Sequence, residues 1–180
     1  MRAEKGLAGW WCIFLSALCF ALPGTALAGT ALADPPPTPD LVLVKKSERK
    51  LYLLRDGEVL REYPVALGKN PRGHKVEEGD GRTPEGRYVL DWRNPQSKFY
   101  RAIHISYPNE LDLLWANDRR KPAGGDIMIH GLPEWVPSDE WAEQWLQKDD
   151  WTDGCIAVLN RHMDEIWRLV PDGTPIEIWP

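Results

Sequence analysis

The chain has 180 residues, a formal net charge of −5 and 27 % charged side chains. That length suits one domain with a real core behind a short leader, and an acidic chain without a basic stripe excludes nucleic acid as an expected partner. Cys12 and Cys19 lie in the N-terminal apolar stretch. Cys155 is then left alone, which excludes a disulfide-stapled scaffold.

Residues 1–33 have the layout of a secretory signal peptide. Arg2 and Lys5 make a positive start, Trp10 to Leu22 is an apolar run, and Pro23-Gly24 breaks it. Two small-x-small sites follow, Ala26-Leu27-Ala28 and Ala31-Leu32-Ala33, so cleavage is expected after Ala28 or Ala33. The run is short for a membrane span. Residues 34–39, Asp34-Pro35-Pro36-Pro37-Thr38-Pro39, read as a stiff extended spacer. Residues 40–180 form the expected domain.

The first third is β in character. Leu41-Val42-Leu43-Val44, Leu51-Tyr52-Leu53-Leu54 and Glu58 to Ala66 read as three strands, the last two joined by the hairpin signal Asp56-Gly57. Gly68 to Gly86 is long and glycine-rich with almost no apolar side chains, the mark of a functional or mobile loop. Strands are expected at Arg87 to Trp92, Ala102 to Tyr107 and Asp126 to Gly131, with a turn at Asn94-Pro95. Ser138 can cap a helix running to about Lys148, and Asn160 can cap another over Arg161 to Leu169. Ile176-Glu177-Ile178 closes the chain. The expected fold is mainly β, a β-sandwich or partly closed barrel with two short α-helices.

A lone thiol in an exported chain invites a nucleophilic reading, with a small buried hydrophobe as the alternative. A thiol needs a base or a positive field to attack a carbonyl. His130 ends a strand at His130-Gly131, and Gly154 lets backbone come close to a carbonyl bound at Cys155. The amides of Gly154 and Cys155 are the candidate oxyanion hole. His104 alternates with Ile103 and Ile105 and so faces away from them, in a structural or a pocket role. His74 and His162 read as exposed. With one Cys and no His pair at helical spacing, no zinc site and no cofactor is expected. Of the ten tryptophans, Trp141 and Trp145 share a helix face. Some tryptophans are expected to pack the core and others to line a groove that covers sugar or peptide.

His130-Gly131 followed by Thr152-Asp153-Gly154-Cys155-Ile156 resembles the bipartite signature of the L,D-transpeptidase catalytic domain of YkuD type. Thr83-Pro84-Glu85-Gly86, His104 to Asn109 and Asp172 to Ile176 extend the resemblance over residues 40–178, toward the murein L,D-transpeptidases of Gram-negative periplasm. It implies a periplasmic enzyme acting on peptidoglycan stem peptides or an outer-membrane lipoprotein. Cys155 would form a thioester, His130 would serve as base and acid, and Gly131 would orient it through a backbone carbonyl. His104, Tyr107, Trp141, Trp151, Thr152 and Asp153 are the expected substrate contacts. An amine acceptor makes this a transpeptidase and water makes it a hydrolase cutting the peptidoglycan–lipoprotein link. A silent peptidoglycan-binding module is the third reading. Two positions depart from the family pattern. Asp153 stands where many members have His, and Ala157 where many have an Arg that helps bind substrate, so Arg161 or Arg168 is the expected substitute cation.

Overall fold

The computed structural model describes residues 36–146 and 148–180. The expected leader at 1–33 and the start of the spacer lie outside the described residues. Strands β1 (Leu41–Lys45), β2 (Lys50–Arg55) and β3 (Glu58–Pro64) form the expected antiparallel meander. Asp56 and Gly57 connect β2 to β3 with φ of 51° and 81°. Positive φ at both central residues is what a type I′ hairpin turn requires.

The closing strand β8 (Thr174–Trp179) does not lie at an edge. It pairs in parallel with β1 and antiparallel with β4 (Gly86–Ser97), so it sits in the middle of the sheet. This explains the unbroken apolar run of β1, whose Val42, Leu43 and Val44 are all buried. β5 (Tyr100–Ile105) follows β4 as a hairpin, and β6 (Met128–His130) and β7 (Ile156–Ala157) complete the order β3-β2-β1-β8-β4-β5-β6-β7. The β-rich expectation holds, but the strands make one eight-stranded mixed sheet rather than two sheets or a barrel.

Asn94-Pro95 is not a turn. β4 runs through it to Ser97, and the pairing with β5 shifts register between Leu90 and Arg93 and again between Asn94 and Ser97. Irregular pairing of this kind is where a proline is tolerated inside a strand. The hairpin therefore turns at Lys98-Phe99, further along the chain than expected.

Three helices are present among the described residues, one more than the sequence suggested. α1 (Glu110–Asp118) starts from a capping box in which Asn109 Oδ1 accepts the Leu111 and Asp112 N–H groups and Asp112 accepts the Asn109 N–H. α2 (Asp139–Glu143) is capped by Ser138 as expected but stops well short of Lys148. α3 (Asn160–Leu169) buries Met163, Ile166 and Leu169 on one stripe. Asn160 is not its cap. Asp139, reaching across from α2, accepts the Asn160 and Arg161 N–H groups at 2.9 and 2.8 Å, while Asn160 Oδ1 accepts the Leu132 N–H at 2.8 Å.

The main core lies between α3 and one face of the sheet, built from Leu51, Leu53, Leu90, Ile103, Ile129, Ile156, Ile176 and their neighbours. A smaller cluster joins Ala66, Ala157, Leu132, Leu159, Ala142 and Leu146, with Trp145 and Trp151 packed against it. It ties the α2 region to the β7 end of the sheet.

Candidate active site

Strand alternation places the two reactive groups. Ile129 and Ile156 are register partners in the parallel β6–β7 pair, and both are fully buried in the main core. A period of two sends Met128, His130 and Cys155 to the opposite side of the sheet. There, Cys155 and His130 line one cavity of about 360 Å³, walled by Asn94, Gln96, Lys98 and Phe99 of the β4–β5 hairpin and by Asp126.

His130 is 2 % exposed. Its ring packs on Phe99 at 4.5 Å between centroids and meets the edge of Trp151 at 5.7 Å. Nδ1 lies 2.7 Å from the Gly131 carbonyl oxygen. A carbonyl can only accept, so Nδ1 carries the proton and Nε2 keeps a free lone pair. Burial lowers the imidazole pKa to about 4, and the bond to Gly131 offsets only part of that. Gly131 is needed for space as well as for its carbonyl. A Cβ there would lie 2.5 Å from Asn160 Oδ1 and 2.9 Å from Tyr100 Cβ.

Cys155 Sγ accepts the Met128 N–H at 3.4 Å and faces the Asp126 carbonyl oxygen at 3.5 Å. Burial raises its pKa first of all, the Met128 N–H opposes this, and the Asp153 and Asp126 carboxylates push it further up. The resting pair is therefore a neutral thiol beside a neutral imidazole, and no hydrogen bond joins the two side chains among the described residues. Gly154 has φ +137°, and a Cβ on it would lie 2.7 Å from the Arg82 carbonyl oxygen. Only glycine fits this turn.

The two candidate oxyanion donors separate. The Gly154 N–H is given to Thr152 Oγ1 at 3.1 Å, while the Cys155 N–H has no acceptor among the described residues. Thr152 Oγ1 also donates to the Cys155 carbonyl at 2.7 Å. Thr152 is buried and holds the shape of the nucleophile turn instead of facing the cavity.

The glycine-rich stretch is an ordered cradle under this turn. Asp80 accepts N–H groups of Val76, Glu77 and Arg82 and pairs with Lys75, and Thr83 Oγ1 accepts the Gly68 N–H. Its backbone then presses on Gly154. His74, expected at the surface, is held between the Glu85 N–H at Nδ1 and Asp112 Oδ1, 3.0 Å from Nε2. His162, also expected at the surface, packs beside Tyr63 at 5.1 Å.

The other expected contacts divide. Trp151 reaches the site through His130 and Phe99, and Trp141 stands in a tryptophan cluster continuous with Trp151 through Trp145. His104 is on the cavity side of β5, two residues from the cavity-lining Ala102, but its Nδ1 is 2.6 Å from Asp91 Oδ1 and its ring stacks on Trp92. Tyr107 does not face the cavity. It is 3 % exposed in the main core and donates its hydroxyl to the Ala123 carbonyl at 3.0 Å. Asp153 points to solvent in an ion pair with Lys69. Ala157 lies in the small apolar cluster, and Arg161 pairs with Glu143 and Asp139 on the surface, away from the cavity. The cation that lines the cavity is Lys98. Sequence reading missed it because the turn was expected at Asn94-Pro95. Among the described residues no group of three or more His, Cys, Asp or Glu side chains is placed to hold a metal ion.

This fold and this pairing of strand ends define a class. The model of the L,D-transpeptidase catalytic domain, YkuD, matches residues 39–178, and the chain belongs to that family. It is 31 % identical over 140 residues to "Putative L,D-transpeptidase YafK" of Escherichia coli K12, covering 74 % of this chain and 48 % of that protein. Among solved structures it is similar to the helical cell shape determining protein Pgp2 of Campylobacter jejuni, with a TM-score of 0.57 and 28 % identity over 77 % of this chain and 46 % of that one. Bd1075 of Bdellovibrio bacteriovorus gives a TM-score of 0.52 and 27 % identity over 79 % of this chain and 48 % of that one. The chain thus spans about half the length of these relatives.

Proposed function

We propose that this chain is a periplasmic cysteine L,D-transpeptidase that takes the acyl group of a peptidoglycan stem peptide as a Cys155 thioester and passes it to an amine. The product is a crosslink or a lipoprotein attachment. One observation carries the reading. The sole thiol of the described residues and an imidazole of fixed tautomer open on the same cavity from adjacent strands. Family membership and the cell-shape role in the name of Pgp2 support it.

The steps follow from the atoms present. The thiol proton moves from Sγ to His130 Nε2 as Sγ bonds to the carbonyl carbon of the diaminopimelate–D-Ala bond. Negative charge on the carbonyl oxygen meets the unspent Cys155 N–H. Collapse breaks the C–N bond, and the proton on Nε2 goes to the departing D-Ala amine. An acceptor amine then attacks the thioester carbon and gives a proton to Nε2, which returns it to sulfur. The neutral resting pair makes proton transfer part of the attack, so it is general base catalysis and not a preformed thiolate. Lys98 lines the cavity and supplies there the positive charge for substrate binding that the family pattern gives to an arginine at the position of Ala157.

Incubation of the purified protein with defined tetrapeptide stems and with lipoprotein-linked peptidoglycan, followed by product masses, tests the reading. The expected product has lost D-Ala and gained the acceptor, and Cys155→Ala forms neither product nor thioester. Undiminished peptidoglycan remodelling by Cys155→Ala sinks the assignment.

A further inference from the structure

The chain between His130 and Cys155 carries a second cavity that the acyl-transfer steps do not use. Trp135, Trp141, Trp145 and Trp151, together with Asp149, line an open groove of about 470 Å³. Ligand pockets fall in this size range. Trp135 and Trp145 are nearly parallel at 12° and 6.4 Å between centroids. Trp141 stands across both, at 80° to Trp135 and 71° to Trp145. Apolar side chains at this density would ordinarily be buried, yet Trp135 is 69 % and Trp141 45 % exposed. The cluster rests on a packed base, since Ala142 and Leu146 of the same segment are buried in the small core and Trp145 and Trp151 pack on it. Trp145 and Trp151 are half-buried, so the most exposed indoles are the outer two.

We propose that this tryptophan groove is a glycan subsite, which holds the sugar strand of peptidoglycan while its stem peptide enters the Cys155 cavity. The inference rests on the peptidoglycan reading above and names a further part of the same substrate. Two observations favour a sugar over the obvious rival, an ammonium ion in an aromatic cage. The first is adjacency. Trp151 forms a wall of the groove and also packs against His130 and Phe99, so the groove and the catalytic cavity lie on either side of these rings. The second is shape. The outer indoles offer flat exposed faces for the C–H face of a pyranose, and Asp149 can accept from a sugar hydroxyl.

The test separates this subsite from the chemistry by using full-length Cys155→Ala protein, which cannot turn over. Titration calorimetry with peptide-free peptidoglycan glycan strands should show binding. Trp141→Ala and Trp135→Ala should each weaken it by roughly 2- to 10-fold, the range for losing one aromatic contact. Trp141→Phe, which keeps an aromatic face, should fall between. Both rings are exposed, so thermal unfolding should stay close to that of the parent. In the Cys155-containing enzyme, Trp141→Ala should raise KM for a disaccharide-tetrapeptide toward that for the free tetrapeptide and leave kcat unchanged. Strands that do not bind, or bind equally to both alanine variants, overturn the subsite. So does tetraethylammonium binding where strands fail, which assigns a cation cage instead. Strands that bind to a protein without acyl transfer activity leave the subsite standing and remove only the transpeptidase reading.

Discussion

The two flanks of the sheet are built on different terms. On one side, β1 and β2 pair through five consecutive register partners, β8 is enclosed by strands on both sides, and the apolar side chains close over α3. On the other, β6 has three residues and β7 two, and the chain between them departs for the tryptophan segment before returning at Cys155. On the long-strand flank Val42, Val44, Leu51 and Leu53 are all fully buried. The short-strand flank supplies two strand ends side by side, and its backbone is set by glycines that have no room for a Cβ. Stability and chemistry are thus carried by different parts of one sheet, and that division can be tested.

The largest separation is expected from His130→Ala. It should lower turnover by about 10²–10⁴-fold through loss of the general base. Unchanged turnover breaks the assignment of chemistry to the short-strand flank. Leu53→Ala, in the opposite flank, should cost about 2–5 kcal/mol of unfolding free energy with kcat unchanged where the protein stays folded. Denaturant titration alongside the activity assay checks both halves of that statement. A matching fall in kcat would show that the flanks are coupled.

Acid should reveal the short-strand flank in a stability measurement. His130 has a folded pKa of about 4, below its unfolded value of 6.5. Between those values the unfolded chain binds more protons, so stability is fully present above about pH 6.5 and is lost as pH falls toward 4. The shift corresponds to about 3 kcal/mol. His130→Gln should flatten most of this slope. Burial pushes the His162 pKa down as well, so a smaller slope of the same sign remains. A slope identical to the parent would mean that His130 is not the buried neutral group described. The smallest effect is expected from Gly154→Ala, about 1–3 kcal/mol of backbone strain, together with a fall in kcat as the Arg82 carbonyl displaces the nucleophile turn. Wild-type kcat in that variant would show that the turn tolerates movement.

Much of this was legible in the residues. The meander, its Asp-Gly turn, the strand ending in His130 and the stripe of α3 follow from alternation, turn chemistry and helical spacing. Misses occurred where a local signal met a nonlocal partner. Asn94-Pro95 looks like a turn, but the irregular pairing with β5 absorbs it, and with it went the cavity wall and Lys98. Asn160 looks like a helix cap, but Asp139 from another helix takes that role. α1 has its signal, Asn109 three residues before Asp112, hidden because its exposed leucines show no clear apolar stripe. Tyr107 reads as a motif residue and turns out to be core.

The sequence by itself determined which groups could react, because a single thiol beyond residue 19 and a histidine before glycine are statements of composition and order. It also determined most strands, since alternation and turns are local. Only the tertiary structure decided which groups meet. The register of β6 against β7 sets Cys155 beside His130, the Gly131 carbonyl fixes the tautomer, and Thr152 takes the Gly154 amide and leaves that of Cys155 free. It also gathered Trp135, Trp141, Trp145 and Trp151 around one groove. These are contacts between residues far apart in the chain, and their geometry depends on packing that no local pattern encodes.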